Sequence, residues 1–151
     1  MVWMQAHMEK AMDRAQPLSQ KDNRLLAALP AADLDRLRPH LTLTALPAGA
    51  VLYESGSQVR DCYLPVSGLV SLLYTLQDGT STEIGVIGND GCVGVAILLG
   101  GGTTPSRAVV QSAGYGYRLR AVVLQKEFKQ GGQLQYLALR YTQALITQMS
   151  Q

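Results

Sequence analysis

From Leu41 onward the chain is punctuated by glycines at positions 49, 56, 68, 79, 88 and 91, and the segments between them run to only about six residues. Runs of that length between tightly turning residues make strands, because a helix needs roughly ten or more to be worth forming. The spacing predicts strands over Leu41–Leu46, Val51–Tyr53, Cys62–Pro65, Leu69–Leu76 and Thr82–Ile87, and two more over Arg107–Gln111 and Tyr115–Leu119. No helical period alternates with them, so a parallel α/β sheet is excluded. The expected fold class is mainly β, an antiparallel β-roll or jelly roll. Within Leu69–Leu76 the alternation places Val70, Leu72, Tyr74 and Leu76 on one inward face. Asp78-Gly79 then supplies the positive-φ residues of a hairpin turn, and Glu83, Gly85 and Ile87 return.

Helical periods lie on both sides of this body. Met4, Met8, Met12 and Ala15 predict a weak amphipathic helix that Pro17 interrupts. Leu25, Leu26 and Leu29, then Leu34 and Leu37, predict two short helices ended by Pro30 and Pro39. Cys92–Leu99 reads as a short apolar helix, followed by a loop over Gly100–Pro105. The last thirty residues are helical with a break at Gly131-Gly132. Beyond the break, Leu134, Leu137, Ala138, Tyr141, Ala144, Leu145, Gln148 and Met149 make one stripe. Neither a glycine cap nor a proline follows, so the expectation is a chain cut inside a longer helix. The domain reading is an extension over 1–21, the β-roll over 22–130, and the start of a pairing helix over 131–151.

Composition narrows the chemistry. Thirteen Lys and Arg against eleven Asp and Glu leave a net charge of +2, without the clustered positive charge of a nucleic-acid surface. The longest stretch free of strongly polar residues, Gly91–Gly102, is too short to span a membrane, and no early apolar core suggests a secretory signal, so a cytoplasmic protein is expected. Cys62 and Cys92 match no metal, iron–sulfur or redox spacing and read as buried free thiols. His7 and His40 are the only histidines, too few for a metal cupin or a zinc helix, so no metal is assigned. Asp78, Glu83, Asp90 and Glu127 are scattered, which gives no pair of carboxylates for acid–base catalysis. Ser67 lacks the Gly-x-Ser-x-Gly elbow and reads as a turn residue. No enzyme activity is expected.

A helical preface, a glycine-cornered β body, an insert and a long terminal helix, in that order, resemble the cyclic-nucleotide-binding domain of the Crp/Fnr family of bacterial transcription regulators. The resemblance runs from Asn23 to Gln151. It is carried by Gly49-x-Val51-Leu52-Tyr53-x-x-Gly56, by Tyr63-x-x-x-Ser67-Gly68-Leu69-Val70, and by Gly94-Val95-Ala96-Ile97-Leu98 followed by Ser106-Arg107-Ala108-Val109-Val110. It implies a double-stranded β-helix of eight strands, a long helix that pairs two protomers, and a DNA-binding domain after it, which this chain does not contain. It also implies that ligand chemistry sits in the insert. A cyclic phosphate needs backbone N–H groups and a guanidinium, and a ribose hydroxyl needs a carboxylate.

The family's usual pattern is Gly-Glu-x-Ala/Gly-Leu, then Arg-Ser/Thr-Ala after the loop. In this chain Val95 stands at the carboxylate position and Ser106 at the arginine position. Arg107 comes one residue later, which on a strand points to the opposite face. The expected ligand-site residues are therefore Gly94, Val95, Ala96, Ile97, Ser106, Arg107 and Ala108, forming a pocket that has lost its usual charges. The expected dimer interface is Leu134, Leu137, Tyr141, Leu145 and Met149. No cofactor is assigned. A small-molecule effector stays open, as do a pocket kept only as scaffold and cyclic-nucleotide binding by rearranged contacts, although cyclic AMP is not the expected ligand. The functional expectation is an effector-sensing and dimerisation domain that reaches DNA only through the absent domain and touches no membrane. The alternatives are a small cupin-like enzyme and a stand-alone β-roll for protein contact.

Overall fold

The computed structural model describes residues 20–150. The segment around Met4, Met8 and Met12 lies outside the described residues. Two short helices lead, α1 (Arg24–Ala28) and α2 (Ala31–Leu37). Asn23 opens α1: its side-chain oxygen accepts hydrogen bonds from the N–H groups of Leu25 and Leu26, at 3.0 and 3.2 Å, satisfying donors that a helix start leaves free. Pro30 precedes α2 with φ −56°, the value its ring fixes, and Leu26, Leu34 and Leu37 are buried.

Seven strands follow: β1 (Thr42–Leu46), β2 (Val51–Tyr53), β3 (Asp61–Pro65), β4 (Leu69–Thr75), β5 (Ser81–Ile87), β6 (Ser106–Ser112) and β7 (Gly114–Arg120). They form a three-stranded sheet in the order β1-β7-β3 and a four-stranded sheet in the order β2-β6-β4-β5. Every pairing is antiparallel. β1 pairs with β7 and β2 with β6, so the chain rolls up from both ends. Val70, Leu72, Ile87, Val93, Ala108 and Val110 fill the core of the roll. A second core, built from Cys62, Leu64, Tyr117 and Leu119, packs against α1, α2 and the C-terminal helices.

The strands lie where the glycine spacing puts them, with local corrections. β4 stops at Thr75, and only Val70 and Leu72 of its expected inward face are buried. Tyr74 and Leu76 are 41% and 44% exposed, because the register slips between Leu72 and Leu73 and the hairpin projects past the roll. The turn has three residues rather than two. The Leu76 carbonyl accepts from the Gly79 N–H and the Leu76 N–H donates to the Thr80 carbonyl, and of the two expected positive-φ residues only Gly79 adopts one, φ 87°.

The insert differs more. Cys92–Leu99 is not a helix throughout: Val93 exchanges backbone hydrogen bonds with Tyr63, at 2.7 and 3.0 Å, and only Val95–Leu99 coils, as a 3-10 turn. Gly94 and Gly100 bracket that turn at φ 97° and 95°, left-handed conformations that stop a helix growing in either direction. The chain ends in α3 (Ala121–Lys129) and α4 (Gly132–Met149), broken at Gly131-Gly132 as expected.

Candidate functional site

The insert, the four-stranded sheet and the last two turns of α4 enclose a cavity of about 140 Å³. β2 contributes Tyr53, β4 Leu72, β5 Ile87 and β6 Ser106. The insert contributes Cys92, Gly94, Val95, Ala96, Leu99 and Thr104, and α4 contributes Thr142, Leu145, Ile146 and Met149. Strand alternation decides what β6 presents. Ser106, Ala108 and Val110 are buried, and Arg107 points to the other face. There Nε and Nη2 of Arg107 donate to the two Glu54 carboxylate oxygens, at 3.0 and 3.2 Å.

Of the residues expected at a ligand site, the structure thus brings together Gly94, Val95, Ala96 and Ser106. Ile97 and Ala108 are core residues behind the lining, 5% and 0% exposed. Arg107 is directed away. Sequence reasoning missed Tyr53, Leu72, Ile87, Thr104 and the α4 residues Thr142 and Ile146. Tyr53 was within the quoted Gly49–Gly56 segment, but β2 holds no fully buried position and alternation would place Tyr53 with the exposed Val51, so the sequence carried no signal for it.

No lining residue carries a charge at neutral pH. The polar atoms gather at one end, where Tyr53, Ser106 and Thr104 line the wall and the Ser106 hydroxyl lies 3.2 Å from that of Thr104. Burial is the main cause that pushes the Tyr53 hydroxyl up to about 12, so it stays protonated. The Thr142 hydroxyl is used within its own helix, donating to the Ala138 carbonyl at 2.8 Å. The Cys92 thiol is held well above its ordinary range, first by a hydrogen bond with Cys62 and then by complete burial; both cysteines are free.

Cys92 and Val95 also wall a second, apolar cavity of about 60 Å³ beneath α1 and α4, lined by Leu25, Leu134, Leu137 and Tyr141 among others. The Tyr141 hydroxyl sits so close to Gly91 that an added Cβ there would lie 2.3 Å from it. This arrangement corrects the reading of the α4 stripe. Leu134 is 5% exposed, Leu137 and Tyr141 line the small cavity, and Leu145 packs on the roll core, so this face is occupied by the chain's own body. Met149 is at the edge of the larger cavity. The helix leaves Tyr136, Leu139 and Ile146 outward, 53%, 49% and 48% exposed. Periodicity finds an apolar stripe but does not name what covers it.

An antiparallel roll whose cavity is closed jointly by an insert and a terminal helix has the build of a small-molecule-sensing β-roll. The model of the cyclic nucleotide-binding domain matches residues 43–130, more than half of the sequence, and the chain belongs to that family. No curated protein matches it by sequence. Solved structures resemble it in fold. The N-terminal domain of a transcriptional regulator from Streptomyces coelicolor A3(2) superposes with a TM-score of 0.63 at 20% identity, covering 87% of this chain and 93% of that one. The sensor domain of the transcriptional regulator DNR from Pseudomonas aeruginosa gives 0.64 at 16% identity, covering 99% and 92%. A cyclic nucleotide-binding-like protein from Brucella abortus bv. 1 str. 9-941 gives 0.58 at 20%, covering 72% and 98%. Among the described residues, no helix is long and apolar enough to cross a membrane.

Proposed function

We propose that this chain is the effector-sensing and dimerisation domain of a Crp/Fnr-like bacterial transcription regulator, cytoplasmic and non-enzymatic, whose effector is not cyclic AMP. The observation that carries the reading is the uncharged cavity at the position of the family's ligand chemistry. It is walled by the insert on one side and by α4 on the other, so an occupant would touch the helix that leads toward a following domain. Cyclic AMP would bring an anionic phosphate and a ribose hydroxyl into this space. Val95 accepts no hydrogen bond, Ser106 offers no charge, and Arg107 is engaged with Glu54 on the far face. Burying an unpaired charge costs several kcal/mol, enough to remove micromolar affinity.

Pairing of two protomers is assigned to the outward face of α4. Tyr136, Leu139, Gln143 and Ile146 follow a three- and four-residue spacing suited to a helix–helix seam, and DNA contact belongs to a domain outside this chain.

Isothermal titration and thermal shift with cyclic AMP test the reading. No heat and no shift are expected at micromolar nucleotide, whereas micromolar binding refutes it. Sedimentation tests the seam. The double variant Leu139→Asp, Ile146→Asp is expected to convert a dimer to a folded monomer, and an unchanged sedimentation coefficient would remove α4 from the interface.

A further inference from the structure

We infer that the larger cavity takes a small uncharged ligand, mainly apolar, about the size of a single aromatic ring and carrying one hydrogen-bonding group. This rests on the proposed sensing role and names the chemical class of the effector. Size is the first argument. At about 140 Å³ the space is close to an engineered apolar cavity of about 150 Å³ in an unrelated protein that stays dry and binds benzene. A nucleotide does not fit it without opening the walls.

Chemistry is the second argument. Val95, Ala96, Leu72 and Ile87 line most of the wall, while Tyr53, Ser106 and Thr104 put three hydroxyls at one end. Thr104 and Ser106 bond to each other, and each hydroxyl has one donor and two lone pairs, so the three together still hold spare acceptors and a free donor. A single ligand hydroxyl or carbonyl that docks there regains a hydrogen bond in exchange for those it gives up to water. A carboxylate or an ammonium meets no counter-charge and is rejected.

The mouth supplies a third, independent observation. Leu99 is 60% exposed and Met149 38%, and both also line the cavity. Exposed apolar side chains grouped around an opening are covered when an apolar occupant enters, and methionine adapts its shape to what it meets.

Phenol, toluene and sodium benzoate are the probes, titrated into the whole chain beside cyclic AMP, with binding read by calorimetry and by the fluorescence of a Leu99→Trp reporter at the mouth. Saturable phenol binding is expected, with benzoate at least a hundredfold weaker. Ser106→Ala is expected to weaken phenol about fivefold and leave toluene unchanged. Ala96→Phe fills a half-exposed lining position and is expected to abolish binding while circular dichroism shows a folded roll. Silence of phenol and toluene together with silence of cyclic AMP would overturn this inference and leave the sensing reading standing. Micromolar cyclic AMP binding would overturn both. Benzoate binding as tightly as phenol, or phenol binding undiminished by Ala96→Phe, would also overturn the inference.

Discussion

Replacing Asn23 by alanine tests how the preface holds the site. Asn23 is completely buried and all four of its side-chain hydrogen-bonding positions are used. Its oxygen accepts from Leu25 and Leu26, and its amide nitrogen donates to the Pro65 carbonyl at 2.9 Å and the Gly91 carbonyl at 3.0 Å. One side chain thus ties α1 to the end of β3 and to the residue before Cys92. Alanine removes a helix cap, worth about 1 kcal/mol. It also strips the side-chain donor from two carbonyls, at roughly 1–3 kcal/mol each when buried. The expected total is about 5 kcal/mol. At about 2–4 °C per kcal/mol for a domain of this size, the melting temperature falls by roughly 10–20 °C. Equilibrium urea unfolding at 25 °C, with the slope m checked for constancy, measures it. Asn23→Asp separates the two contributions, since it keeps the cap acceptor but turns a carboxylate toward two carbonyl oxygens. Burial raises that carboxyl above its unfolded value of about 4, so the variant is weakest at pH 7 and recovers stability as pH falls from the raised folded value to about 4, where the protonated group donates once; below that both states are protonated and nothing more is gained. A loss under about 1 kcal/mol for alanine, or an aspartate variant as stable as the parent at pH 7, refutes the reasoning.

Gly91→Ala drives a methyl group to 2.3 Å from the Tyr141 hydroxyl and 2.9 Å from Ile87, and is expected to cost about 1–3 kcal/mol, with Tyr141→Phe recovering part of the loss in a double-mutant cycle. Tyr53 ionises at 10 when unfolded and at about 12 when folded, so its contribution to stability is whole below pH 10 and is lost as pH rises from 10 to 12. Urea midpoints across that window, followed with tyrosine absorbance at 295 nm, should fall more steeply in the parent than in Tyr53→Phe. Arg107→Ala removes a pair whose Glu54 partner is 59% exposed, and is expected to change stability by less than about 1 kcal/mol and phenol affinity not at all; a large loss of binding would put Arg107 back at the site.

The strand positions were legible because glycine imposes its turns locally, and the spacing between Gly49 and Gly91 needs no knowledge of what packs on what. The departures arise where the outcome depends on distant parts of the chain. Tyr74 and Leu76 continue the alternation of Val70 and Leu72, yet the roll ends beneath them. The Cys92–Leu99 run is apolar enough for a buried helix, and two left-handed glycines together with the backbone pairing of Val93 to Tyr63 limit it to one turn. At the site, the displacement of Arg107 by one residue was readable, because a period of two fixes opposite faces. Tyr53, Ile87 and Thr142 were not, since nothing along the sequence separates a residue beside a cavity from one beside another side chain. Asn23 gave a signal that went unused: an asparagine directly before the Leu25-Leu26-Leu29 pattern is a helix cap.

The two cavities give α4 an uneven hold on the roll. Up to Tyr141 it is anchored, with Leu134 buried, the Tyr141 hydroxyl against Gly91, and the Gln135 side chain donating to the Phe128 carbonyl at 3.1 Å. Its last two turns border the larger cavity, about 140 Å³, through Leu145, Ile146 and Met149, and touch the roll only in part, through Leu145 on the core and Met149 beside Gly85. A surface that borders a void forfeits the dispersion contacts a packed one keeps, so those turns contribute less to holding the helix down than an equal length of its first half. Ile146 has two roles in this geometry. It lines the cavity, and it stands on the outward face together with Tyr136 and Leu139. An occupant of the cavity adds contacts to the C-terminal turns and none to the anchored half. Any differential affinity for two positions of α4 is therefore expressed at the end of the helix that would lead to a following domain, which is the requirement for a ligand to shift a conformational equilibrium there.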